Sequence, residues 1–167
     1  TGTFNFGVQV SDASNPAQMA IQLLNLTITP LPTVTIWPGT AAPGMVDAGP
    51  DSAAELGVKF KSDVAGSITG IRFYKAAANT GAHIGNLWTS GGSLLATATF
   101  ASESASGWQQ VLLAAPVPVV ANTVYVVSYH TTTGHYSANA AHFAGAGVDP
   151  PPLHALANSA SANGLYR

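Results

Sequence analysis

The chain has 167 residues, 47% of them hydrophobic and only 7% charged, against about 25% charged in an average soluble domain. Five Lys plus Arg and a net charge of −2 argue against nucleic acid as a partner, because such a surface cannot neutralise a run of phosphates. The absence of cysteine excludes a disulfide scaffold, thiolate metal sites and thiol catalysis, and no apolar run reaches the roughly 18 residues of a membrane helix.

Strand signals dominate from the start. Phe4, Phe6, Val8 and Val10 alternate with polar residues and Gly7, the pattern of a half-buried strand. Ser11-Asp12-Ala13-Ser14-Asn15-Pro16 is a turn cluster. A second strand is expected over residues 20–29, with Ile21 and Leu23 on the apolar face beside Phe4, Phe6, Val8 and Val10, and a less regular end at Leu24, Leu26 and Ile28. Pro30-Leu31-Pro32 reads as a stiff linker, which places a first unit at 1–30, a linker at 31–35 and a second unit at 36–167. A lone hairpin is marginally stable, so its apolar face needs cover. A flanking domain or another copy of the chain, engaged through residues 1–30, is the expected partner. No signal peptide opens the chain. It begins inside a strand-like run, as the interior of a longer precursor would.

In the second unit Leu56, Val58 and Phe60 alternate with Gly57, Lys59 and Lys61. Ile71 and Phe73 flank Arg72, and strand-like runs follow at 94–100, 108–113, 117–120 and 124–129. Gly- and Ser-rich turns separate them. The expected fold is all-β: an antiparallel β-sandwich or jelly-roll-like module preceded by a β-hairpin. Residues 137–165, rich in Ala, Asn, Gly and Pro, are expected to form an irregular arm with at most one short strand.

Catalysis has little support. Neither Gly-x-Ser-x-Gly nor His-Glu-x-x-His occurs. The seven acids, Asp12, Asp47, Asp51, Glu55, Asp63, Glu103 and Asp149, are read as loop and turn residues, so no carboxylate pair is aimed across a cleft. The chain is therefore read as not an enzyme. Trp88, in what reads as a loop with His83 and Asn86, is the best candidate for stacking a sugar ring, the alternative being core packing under that loop. His135 and Tyr136 join His83, Asn86 and Trp88 as ligand-binding candidates. His83 and His135 could share one transition metal; equally, each could anchor its own loop through backbone hydrogen bonds. Asp47, Asp51 and Glu55 precede one strand and are weak candidates for a structural calcium, solvated loop acids being the simpler account. Trp108 reads as a core or rim plug.

Two resemblances add to this reading. Gly2-Thr3-Phe4-Asn5-Phe6-Gly7-Val8-Gln9-Val10-Ser11-Asp12 and Leu24-Asn25-Leu26-Thr27-Ile28 resemble the last two strands of bacterial immunoglobulin-like repeats. Glu55 to Phe60, Gly70 to Lys75, Asn79 to Trp88, Leu94-Leu95-Ala96, Ser106 to Gln110, Gly134-His135-Tyr136 and Asn163 to Arg167 resemble the bacterial domain of unknown function 4082 over about residues 36–167. Ala76-Ala77-Ala78 stands where that family usually carries a Gly-containing stretch. The resemblance implies a module of a larger secreted or cell-surface protein, with polysaccharide as the leading ligand and an extracellular location. A building block of a surface fibre, adhesin or surface layer is the alternative, and a metal-binding module a third.

Overall fold

The computed structural model describes residues 2–29 and 33–167. They form two compact units, divided at Thr33/Val34, and contain no helix. The fold is all-β and antiparallel. The Pro30-Leu31-Pro32 linker lies outside the described residues.

The first unit is a hairpin of β1 (Gly2–Ser11) and β2 (Met19–Ile28). Asp12 holds its turn by accepting hydrogen bonds from the backbone N–H of Ser14 and Gln18. Phe4 faces Leu26, Phe6 faces Leu24 and Gly2 faces Ile28, so Phe4, Phe6, Val8 and Val10 share their face with Leu24, Leu26 and Ile28. Ile21 and Leu23 lie opposite Gln9 and Gly7, on the other face. This corrects the expected pairing. The alternation in β2 changes phase at the Leu23-Leu24 step, and only register decides which half joins Phe4 and Phe6.

The second unit is a sandwich. Its larger sheet runs in the order β10 (Leu165–Tyr166), β3 (Ala54–Ser62), β8 (Tyr125–Thr131), β5 (Ile84–Thr89), β6 (Leu94–Thr99), with β9 (Leu153–Ala155) also on β3. Its smaller sheet pairs β4 (Gly66–Lys75) with β7 (Gly107–Val119). The two expected runs at 108–113 and 117–120 are one strand. Ile68 pairs with Val117 but Gly70 with Leu112, so β7 bulges over the intervening residues, which include Pro116. The arm after Tyr136 carries β9 and ends in β10.

Alternation sets the core. Phe60, Leu87 and Tyr125 from the larger sheet meet Ile71, Phe73, Leu113 and Val119 from the smaller, with Ile36, Phe100 and Phe143 closing the ends. Burying each such side chain contributes about 1.5–3 kcal/mol. Phe73 stacks on Tyr129 at 4.2 Å and meets Phe100 edge-on at 4.8 Å. Gly134, at φ +65°, brings the loop after β8 so close to Asp51 that a Cβ would collide with its carbonyl; Asp51 N–H donates to the Gly134 carbonyl at 3.0 Å.

Candidate functional site

Three neighbouring strands present an outer face away from the core. Register places Glu55 beside His130 and Ile84, then Gly57 beside Ser128 and Asn86, then Lys59 beside Val126 and Trp88. Trp88 therefore sits on a central strand, not in a loop. Its indole Nε1–H donates to Ser128 Oγ at 2.8 Å, which lays the ring across β8 toward Gly57. Glu55 Oε1 accepts from the Ser128 hydroxyl and from Asn86 Nδ2, the latter at 3.0 Å, and His130 Nδ1 is 3.6 Å from its other oxygen. Glu55 is thus a strand residue held by Ser128 and Asn86. That corrects its reading as a loop acid: position 55 keeps the alternation that Leu56, Val58 and Phe60 begin.

The face is shallowly concave. A groove of about 390 Å³ is lined by Glu55, Gly57, Lys59, Trp88, Ser128 and Arg167 among others. Gly57 is its floor: a Cβ there would come within 3.2 Å of both Ser128 Cβ and the Val127 carbonyl. Arg167 is brought to the rim by backbone hydrogen bonds to Glu55 in both directions, at 2.8 and 3.0 Å.

The other sequence candidates go elsewhere. His83 is wholly buried on the core side, 4.9 Å from the Phe73 ring. Its Nδ1 bonds Glu103 at 2.8 Å and its Nε2 meets Asn79 Oδ1 at 2.8 Å. Lys75 Nζ reaches the same glutamate at 2.8 Å. Burial pushes the Glu103 carboxyl up, but the hydrogen bonds from Lys75 and His83 outweigh it and leave the group below its ordinary range. Asn79 Oδ1 also accepts from the Thr131 and Thr133 hydroxyls, while Asn79 Nδ2 is buried without a partner. Half a turn of that amide lets its NH2 serve His83 Nε2 and Thr131, and His83 then needs only its Nδ1 proton. Both ring nitrogens are engaged in either case, so His83 ties loops together inside the module.

His135 donates to Asp47 at 2.9 Å, a bond that holds Asp47 below the ordinary aspartate range. Asp51 accepts from the Tyr166 hydroxyl at 2.6 Å. That bond pushes the tyrosine up to about 12 and the aspartate down. Tyr136 packs against Tyr166 at 5.7 Å. Asp47, Asp51 and Glu55 thus face three different partners and do not converge. Among the described residues, no group of three or more His, Asp or Glu side chains is placed to hold an ion.

Sequence reasoning assembled Trp88 and Asn86 but did not place Ser128, His130, Lys59 and Arg167 with them. The signal for two of them was present: Ser128 and His130 alternate with Tyr125, Val127 and Tyr129 along β8, which assigns them to the opposite face.

The sequence profile of a family described as Domain of unknown function (DUF4082) matches residues 40–167. The chain belongs to this family. The match contains every residue of the outer groove and the buried His83–Glu103 contact, and it leaves the hairpin outside. No curated protein and no solved structure matches the chain. In the DUF4082 module the groove brings an aromatic side chain, a carboxylate, a hydroxyl and two cations together on a sheet face, with the Asn86 amide bonded to the carboxylate.

Proposed function

We propose that the DUF4082 module is a non-catalytic, extracellular carbohydrate-binding module of a larger protein. The observation that carries this reading is the placement of Trp88. Its ring lies on the outer face of the larger sheet, hydrogen-bonded to Ser128, beside Glu55 and a glycine floor, with Asn86 bonded to that glutamate. A sugar ring presents a weakly apolar C–H face to such an indole, while its hydroxyls find acceptors on Glu55 and donors on Asn86, Lys59 and Arg167. The groove holds one carboxylate, Glu55, where glycoside hydrolysis uses two; this supports binding without turnover. A preformed shallow site suggests a Kd of about 10 μM to 1 mM, or some 4–7 kcal/mol. Retention on a panel of insoluble polysaccharides tests it. Wild-type chain should be retained on at least one, Trp88→Phe weakly and Trp88→Ala not at all. Wild-type chain that passes through every polysaccharide unretained would remove the reading.

A second reading, assembly, is favoured by the hairpin. Phe4 is 56% exposed, Phe6 49% and Leu26 53%. Such a face marks an interface, and a flanking immunoglobulin-like domain or a second copy is the partner it suits. The metal-binding reading has less to stand on, since its candidate ligands already pair with separate side chains.

A further inference from the structure

The module contains a second concave site that the outer groove does not use. It lies along the unpaired edge of β4, beside the arm that follows β8, and measures about 450 Å³, within the range of small-molecule sites. Its aromatic walls include Trp37, Trp108 and Tyr136, and it reaches the core residues Phe73 and Phe143 behind them. Among these aromatic walls stands one half-buried cation, Arg72. Its guanidinium lies 4.5 Å from the Trp108 ring centroid, and its Nη1 donates to the Trp37 carbonyl at 3.3 Å. Trp108 is itself fixed, by a 2.8 Å hydrogen bond from Nε1 to the Ala41 carbonyl and by the edge of Tyr74 at 5.6 Å.

Arg72 has no carboxylate partner among the described residues. The contrast with Lys75, three residues along the same strand, is informative. That buried cation has Glu103 at 2.8 Å. Arg72 keeps most of its five N–H donors free in a partly desolvated, aromatic-walled cleft. A guanidinium there is planar, always charged and weakly hydrated, and its fork matches a carboxylate with two parallel hydrogen bonds. We propose that this cleft binds a small carboxylate on a flat, apolar body, the carboxylate paired with Arg72 and the body held against the neighbouring aromatic side chains. The site borders the outer groove at Gly57, Ser128, Leu165 and Tyr166, but Arg72 and Trp108 belong to it alone, and it does not rest on the carbohydrate reading.

Isothermal titration calorimetry on the full chain, with 2-naphthoate and its neutral analogue 2-naphthamide as probes, tests this. Saturable binding of the carboxylate, about tenfold tighter than of the amide, is expected, with that preference lost in Arg72→Gln. Absence of saturable binding, equal affinity for the two probes, or unchanged carboxylate affinity in a folded Arg72→Gln chain would each overturn the proposal. If Arg72→Gln fails to fold, Ala42→Trp decides. Ala42 lines the cleft at an exposed position, so the larger side chain should block carboxylate binding, and undiminished binding would sink the idea.

Discussion

The indole nitrogen of Trp88 donates to the hydroxyl of Ser128 across two adjacent strands, at 2.8 Å, and that hydroxyl donates in turn to Glu55. Ser128 therefore orients both the aromatic platform and the carboxylate of the outer groove, although it is itself almost fully buried. Ser128→Ala should lower stability by about 1–3 kcal/mol, because two polar groups lose their partner at once. It should also weaken polysaccharide retention without abolishing it, since the ring of Trp88 remains. Urea denaturation alongside retention separates the two effects. A variant with wild-type stability would show that neither hydrogen bond is formed in solution.

The two histidines once paired as candidates should behave oppositely. His83→Ala removes a fully buried ring and leaves Glu103 and Asn79 short of partners, so a loss of about 3 kcal/mol or more is expected. His135→Ala unpairs Asp47 at the surface and should shift Tm far less. Added divalent transition metal should raise Tm in neither the wild type nor the variants. A metal-dependent rise that His83→Ala abolishes would revive a shared site.

His154 bridges two carboxylates, with Nε2 2.7 Å from Asp63 and Nδ1 3.0 Å from Asp149. The hydrogen bond to Asp63 is the main cause of its raised pKa, reinforced by Asp149. A raised imidazole contributes stability that is complete below the unfolded value of about 6.5 and disappears as pH climbs through the folded value. Tm should therefore decline as pH rises above about 6.5, and Asp63→Asn should shrink that decline. Titration of the His154 ring by NMR is the direct measurement. A midpoint at or below that of a free histidine would contradict the bridged geometry.

Glu103 has the reverse sign. Its carboxyl, held low by Lys75 and His83 against the effect of burial, contributes stability that is present above the ordinary glutamate value and lost as pH falls through the folded one. The wild type should lose stability below about pH 4.5, whereas Glu103→Gln should be weaker at neutral pH and lose less on acidification. Parallel acid melts of the two proteins check this; identical slopes would mean the network does not hold the carboxylate ionised.

Residues 2–29 should report on assembly. Phe4→Ser with Leu26→Ser removes two facing apolar side chains, each worth about 1.5–3 kcal/mol when covered. Sedimentation should show the full chain self-associating, or binding an isolated flanking domain, and the double variant doing neither. Deletion of residues 1–32 should leave a folded monomer with the outer groove intact. A deleted chain that cannot fold would overturn the separation into two units.

The strands of this protein are legible in the sequence because alternation is a local property. Leu56, Val58 and Phe60 on one side of Gly57, Lys59 and Lys61 identify β3 before any partner is known, and the same rule marks β1 and most of β7 and β8. The absence of cysteine and the scarcity of charge narrow the chemistry for the same reason: they need no coordinates. Partnerships between strands are different. That Trp88 lies over β8 beside Ser128, that Glu55 points outward, and that Leu24 rather than Leu23 joins Phe6 depend on register, and a slip of one residue reverses every face. His83 shows the limit most clearly. Nothing in Gly81-Ala82-His83-Ile84-Gly85 distinguishes an exposed imidazole from a buried one. Its place was decided by Glu103, 20 positions away, and by Thr131, whose hydroxyl meets the same Asn79 from the end of β8. A buried polar group takes its partners from whatever the tertiary fold brings near it, and that information is not local to the segment that carries it.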